Sequence, residues 1–206
     1  NIYLGSSSVL KDAFGDITGP GVRFTGTIAA DASGVHRFAA YKGGALEISG
    51  SLTGTSLVIG NPDSLGSFGN NVTQERSTVH INGNNTGSLV SGVTLYGGHL
   101  KVGQDGADGT IGTDPTHAIG LGSINVMPMD PSILDEGATA LLSVSSDNII
   151  IANDLALGAD LGIGDSRDFT LSGDISGIGE IYVGYEQDSS MTISLSGNNT
   201  HTGGVY

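Results

Sequence analysis

The segment Gly103-Gln-Asp-Gly-Ala-Asp-Gly-Thr-Ile-Gly-Thr-Asp114 sets three carboxylates, Asp105, Asp108 and Asp114, among closely spaced glycines. Such a loop suits Ca²⁺, because tight turns bring backbone carbonyls next to the carboxylates. The bidentate Glu that completes an EF-hand loop is missing, and the nonapeptide calcium repeat would need further copies. Asp-Gly is also an ordinary turn dipeptide, and the turn reading weighs more. Asp105, Asp108 and Asp114 are therefore the candidate metal ligands, for Ca²⁺, and no other cofactor is expected.

Carboxylate pairs suggest a second chemistry. Glycoside cleavage needs two carboxyl groups about 5 to 9.5 Å apart. Asp154 with Asp160, or Asp165 with Asp168, are the pairs to consider, with Arg167 as the one nearby cation. All lie beside Gly, Asn or Ser at strand ends, where Asp is a normal turn former, so no catalytic residue is assigned and the chain is not read as an enzyme. His36, His80, His99, His117 and His201 show no ligand spacing such as His-x-x-x-His. No Gly-x-Ser-x-Gly elbow is present, and Gly158-Ala-Asp-Leu-Gly-Ile-Gly164 lacks the Lys and the helix of a phosphate loop. The sequons at Asn71, Asn84 and Asn198 are what a chain rich in Asn and Thr contains by chance.

The balance of charge narrows the partners. Lys and Arg number 7 against 21 Asp and Glu, a formal net charge of −14. Phosphate binding needs a basic footprint, so nucleic acid is excluded as a partner. No apolar run reaches the ~18 residues of a membrane-spanning helix. Cys is absent, which removes disulfides and thiolate chemistry together. The first residue is Asn1 rather than Met, and the chain reads as a piece of a longer polypeptide.

The elements that would position any site are short strands. Alternating runs occur at Val22–Ile28, Leu46–Ile48, Ser56–Ile59, Thr78–Ile81, Val93–Leu95, His99–Val102, Ser123–Val126, Ala140–Val144, Asn148–Ile151, Phe169–Leu171, Glu180–Val183 and Met191–Leu195. Each is bounded by Gly, Asn or Asp, as strands between tight corners should be. Gly, at 35 residues, supplies many corners. Pro131–Leu142 is the best helical candidate, weakened by Gly137 and Thr139.

One pattern occurs twice. Ser77-Thr-Val-His-Ile-Asn-Gly-Asn-Asn-Thr86 matches Ser190-Met-Thr-Ile-Ser-Leu-Ser-Gly-Asn-Asn-Thr200, and Leu46-Glu-Ile-Ser-Gly-Ser-Leu-Thr-Gly54 matches Phe169-Thr-Leu-Ser-Gly-Asp-Ile-Ser-Gly177. Repetition of short strands points to a solenoid, in which each unit buries its neighbours. The expected fold is all-β, a right-handed parallel β-helix with loop insertions. It would form one segment over 1–206, with degenerate internal repeats at about 22–126 and 149–206. An antiparallel sandwich is the competitor. The paired Asn of Gly-Asn-Asn-Thr read as a hydrogen-bonded ladder at a corner, at Asn198 and Asn199 as well as in the middle copy.

Leu195-Ser-Gly-Asn-Asn-Thr-His-Thr-Gly-Gly204 resembles the passenger-associated β-strand repeat of bacterial autotransporters, as do Gly97-Gly-His-Leu-Lys-Val-Gly103, Ala118-Ile-Gly-Leu-Gly-Ser-Ile-Asn-Val126 and Ile149-Ile-Ile-Ala-Asn-Asp-Leu-Ala-Leu157. The middle copy departs from the pattern by lacking its Thr-Gly-Gly tail. The resemblance implies an exported chain at the bacterial cell surface or outside the cell. The expected role is structural, a stalk or fibre. The alternative is an adhesin that binds glycan or a host surface through the loops 61–76 and 104–117, and a polysaccharide-active enzyme ranks third. Neither Val205-Tyr206 nor Asn1-Ile2-Tyr3-Leu4 offers an obvious polar cap to a solenoid end. The expected partners are therefore other copies end to end, or neighbouring repeats of the same chain.

Overall fold

The computed structural model describes residues 4–6, 9–11, 17–40, 44–60, 78–85, 87–103, 116–128, 140–164, 167–184 and 191–206. The candidate calcium ligands Asp105, Asp108 and Asp114, the loop 61–76, nearly all of the loop 104–117, and Asp165 lie outside them.

Apart from a one-turn helix, α1 (Thr116–Ile119), every described regular element is a strand. The first sheet contains β1 (Leu4–Ser6), β5 (Val35–Ala40), β7 (Ser56–Ile59), β9 (Gly92–Leu95), β11 (Ile124–Val126), β14 (Leu155–Leu157) and β17 (Ile175–Gly177), in that spatial order. The second contains β4 (Val22–Phe24), β6 (Ala45–Ile48), β8 (Thr78–Ile81), β10 (His99–Val102), β12 (Ala140–Val144), β15 (Leu161–Ile163) and β18 (Ile181–Val183). Three further strands, β13 (Ile149–Ile151), β16 (Phe169–Leu171) and β19 (Ile193–Leu195), make a third sheet. All three sheets are parallel throughout, while β2 (Val9–Lys11) and β3 (Ile17–Pro20) form a small antiparallel pair. The chain visits the sheets in turn, and each pass, here called a rung, adds a strand beside the one before.

Alternation along each strand makes the core. In the first sheet His36, Leu57, Val93, Ile124, Leu155 and Ile175 lie in register, beside a column of Phe38, Ile59, Leu95, Val126, Leu157 and Gly177. The second sheet adds Leu46, Val79, Leu100 and Leu142, and Ile48, Ile81, Val102 and Val144. Apart from His36 and the column end at Gly177, these are buried aliphatic or aromatic side chains. Each contributes roughly 1.5–3 kcal/mol by leaving water. A strand of three residues is too short to be stable alone, and these are held by a parallel neighbour on one or both sides.

One expectation is corrected. Ala140–Leu142, the end of the candidate helix Pro131–Leu142, belongs to β12 because β10 and β15 flank it with complete ladders; residues 131–139 are outside the described set. The run Gly158–Gly164 holds strand β15, whose Leu161 and Ile163 are buried.

The matching segments keep their mutual register in different sheets. Leu46 pairs with Val79 in the second sheet, and the equivalent Phe169 pairs with Ile193 in the third. Both copies end in a glycine pressed onto the preceding rung. A Cβ on Gly83 would collide with the Gly50 carbonyl, and a Cβ on Gly197 with that of Gly173. Glycine is required there by close backbone approach.

The last rung, Thr200–Tyr206, continues this register. Thr200 and Thr202 donate their N–H groups to the Ile175 and Gly177 carbonyls, and Ile181 pairs with Val205. Asn199 and His201 thus extend the two core columns of the first sheet. Polar groups do occur on this end, contrary to what Val205-Tyr206 alone suggests.

Candidate functional site

The outward face of the second sheet gathers the charged and polar side chains. Arg23, Glu47, His80, Lys101 and Ser143 follow one another in register, while Gly162 and Tyr182 continue the neighbouring row of His99 and Leu141. They share a face because each sits between two inward residues of its strand. Glu47 is only 2% exposed. Its Oε2 accepts from Arg23 Nε at 2.9 Å, and its Oε1 accepts from Ser49 Oγ at 2.6 Å. Burial pushes its carboxyl up, but hydrogen bonds from Ser49 and Arg23 and the charges of His80 and Arg23 outweigh that and hold it below the ordinary value.

A neighbouring column ties three rungs. Thr78 Oγ1 lies 3.1 Å from His99 Nδ1, and His99 Nε2 lies 2.5 Å from Ser143 Oγ. A hydroxyl on an imidazole resembles an activated nucleophile. Ser143 is 0% exposed, however, so no substrate reaches its Oγ. The arrangement cross-links β8, β10 and β12.

The candidate pair Asp154 and Asp160 is split between two corners, and the pair with Asp165 lies outside the described residues. Asp154 Oδ1 accepts the Asp174 N–H at 3.0 Å, and Asp174 Oδ1 accepts the Asn198 N–H at 2.8 Å. Asp160 Oδ1 accepts the Glu180 N–H at 2.9 Å. Asp147 Oδ1 accepts the Asp168 N–H at 3.1 Å, and Asp168 Oδ1 accepts the Thr192 N–H at 2.6 Å. Asp154, Asp160 and Asp168 therefore belong to three separate corner columns. Each carboxylate satisfies a backbone donor of the following rung, which the sheet ladder does not reach. A signal for this stands in the sequence: an acid directly precedes the first buried residue of β14, β15, β16, β17 and β18.

Asparagine performs a related task inside the core. Asn85 Oδ1 accepts the Leu52 N–H at 2.7 Å, while its Nδ2 donates to Gly83 O at 3.2 Å and Ala118 O at 2.6 Å. Asn153 Nδ2 donates to Gly120 O and Gly122 O at 2.9 and 2.7 Å. The expected ladder of Asn on Asn is replaced by single amides that staple backbone across rungs. Asn84, Asn198 and Asn199 are exposed.

The histidines are distributed as well. His36 is buried beside Phe38 with ring centroids 5.7 Å apart, and its Nε2 accepts the Gly54 N–H at 3.1 Å. Burial pulls its pKa below the ordinary value, with the Asp31 charge opposing. His80 and His99 lie on the outward face of the second sheet, and His201 on the last rung; the backbone of His117 is in α1. Among the described residues no group of three or more His, Asp or Glu is placed to hold a metal ion. No described helix is long and apolar enough to cross a membrane.

Near the last rung, Tyr182 and Tyr206 stack with centroids 5.4 Å apart and ring planes 21° from parallel. The Tyr182 hydroxyl donates to Glu180 Oε2, and that bond, helped by burial and by the charges of Glu180 and Asp160, pushes its pKa up to about 12.

No family model, no curated protein and no solved structure matches this chain.

Proposed function

We propose that this chain is a structural segment, a stalk or fibre, of an exported bacterial surface protein, built as a right-handed parallel β-helix of the autotransporter-passenger kind. The observation that carries the reading is strand order. In both seven-stranded sheets the spatial order follows the chain, and every neighbour is parallel. A molecule assembled this way grows along one axis, because each rung is buried by the rungs beside it. Seven strands at about 4.8 Å spacing extend the sheets roughly 29 Å, and further rungs would lengthen them without a new core.

The polar groups fit a structural role. Glu47, Ser143, Asn85 and the corner aspartates are engaged with protein partners across rungs. The net charge of −14 favours solubility of an exposed rod.

Electron microscopy of native material together with antibody labelling of intact cells tests the reading. Rods or fibres at the cell surface, with a meridional spacing near 4.8 Å, are expected. Compact particles and labelling only after cell lysis would refute it.

A further inference from the structure

We infer that the outward face of the first sheet, from β7 to β17, is the contact of a two-fold dimer with a second copy of this chain, the two stacks lying side by side and antiparallel. Outward positions of this sheet form rows that run along the stack. One row is Val58, Thr94, Asn125, Ala156 and Ser176, small and uncharged throughout. One step past the strand ends, Tyr96, Met127, Gly158 and Ile178 continue the ladder as a second row, their N–H groups donating to the carbonyls of Ile59, Leu95, Val126 and Leu157. Met127 is 40% and Ile178 75% exposed, in a chain whose net charge is −14. Val90 and Leu121, also exposed, stand at the opposite margin of the same rungs. Exposed apolar side chains gathered on one face mark an interaction surface.

The second row selects the partner, because it is complementary to its own reverse. A two-fold axis along β11 lays each row on itself with the rungs in reverse order, so β9 faces β14 and β7 faces β17. Tyr96 then meets Gly158, where no side chain stands. Met127 Sδ and Pro128 Cδ border the notch there, 3.9 and 3.6 Å from the place of a Cβ. Met127 meets its own copy, and Ile178 meets Gly60, which has no side chain either. In the first row Asn125 meets Asn125, and two amides donate and accept reciprocally. Asp154 and Asp174, the acids beside these rows, fall opposite Gly92 and Ser56, so no carboxylate faces another.

The area agrees. Five strands at about 4.8 Å and seven residues at about 3.3 Å give roughly 550 Å² on each copy and about 1,100 Å² in all. A specific interface needs about 1,000 Å², so the pair forms but weakly. The strands of the two copies run parallel across the contact, as in aligned packing of sheets. An isologous contact closes on itself, so association stops at the dimer.

Sedimentation velocity over a wide concentration range tests the pairing, with Met127→Asp and Ile178→Asp. Both side chains are exposed, so far-UV circular dichroism should not change. The wild type should pass from monomer to dimer as concentration rises and stop there. Each variant should raise the dissociation constant about 10-fold or more, because it carries a charge into the contact. The chain has no cysteine, so a single one reports position. Met127→Cys, on the axis, should give a linked dimer with a short bismaleimide, and Thr170→Cys, on the outward face of the third sheet, should not. A wild type that is monomeric at every concentration overturns the inference. So do growth past the dimer, dimers that both variants leave intact, and linking at Thr170 equal to that at Met127. Pairing does not need the stalk reading, and the two fail separately. Dimers in solution with unlabelled cells leave the pairing and remove the surface role. Monomers that label as surface rods leave the stalk and remove the pairing.

Discussion

Replacing Asn85 by Ala tests whether single buried amides hold the rungs together. Asn85 is 2% exposed and serves three backbone groups on three levels, Leu52 N–H, Gly83 O and Ala118 O. Truncation leaves the Leu52 donor and the Ala118 acceptor without partners in a buried setting. Each such group costs about 1–3 kcal/mol. Water entering the vacated volume recovers part of this, so a net loss of about 3 kcal/mol is expected. For a chain of this size that corresponds to roughly 6–12 °C in Tm. Urea unfolding followed by circular dichroism measures the total, and hydrogen exchange at the Leu52 amide locates it. Asn85→Asp keeps the acceptor for Leu52 but loses both donors and turns a charge toward two carbonyls, so it should be no better than Ala at neutral pH. Asn199→Ala, in the same local sequence but exposed, should change stability by less than about 0.5 kcal/mol. Equal effects at 85 and 199, or a loss below about 0.5 kcal/mol at 85, would refute the reasoning.

Gly83→Ala drives a Cβ into the Gly50 carbonyl and should destabilise by about 3 kcal/mol or more, whereas Gly26→Ala, which meets nothing within 4 Å, should be near neutral in the same unfolding assay. His36 is held neutral by burial, so its folded pKa lies below the unfolded value near 6.5. Its contribution is complete above pH of about 6.5 and is lost as pH falls toward the folded pKa. NMR titration should show the His36 ring protonating late, and a ring that protonates above 6.5 contradicts the burial argument. Glu180→Gln should return the Tyr182 hydroxyl from about 12 toward the ordinary ~10, read by ultraviolet titration of tyrosinate. An unchanged titration would mean that Glu180 is not the cause.

Much of the strand layout was legible because inward and outward residues alternate. Ser56–Ile59, Thr78–Ile81, His99–Val102, Ala140–Val144 and Phe169–Leu171 coincide with β7, β8, β10, β12 and β16. Strands with little local signature were missed. In β5 an inward His36 breaks the apolar pattern, and β14, β15 and β17 hold only three residues each, with Ala or Gly between or after the aliphatics. Their hydrogen bonds come from rungs about 20 or more positions away, as in the Asp154–Asp174 contact. Ala140–Leu142 reads locally as the end of a helix, but two flanking ladders decide for strand. The catalytic-looking residues divide in the same way: Asp154, Asp160 and Asp168 were visible as acids at strand ends, while their separation onto three columns was not.

Sequence by itself determined the all-β character, the inward columns of Ile, Leu and Val, and the glycine corners, since these follow from residue type and a period of two. Tertiary structure alone decided which sheet each copy of the pattern enters and which polar groups are buried. Asn85 and Asn199 share the neighbours Gly-Asn before them, yet one staples three rungs and the other faces solvent. The difference lies in what stacks above each residue, and stacking is a property of distant segments.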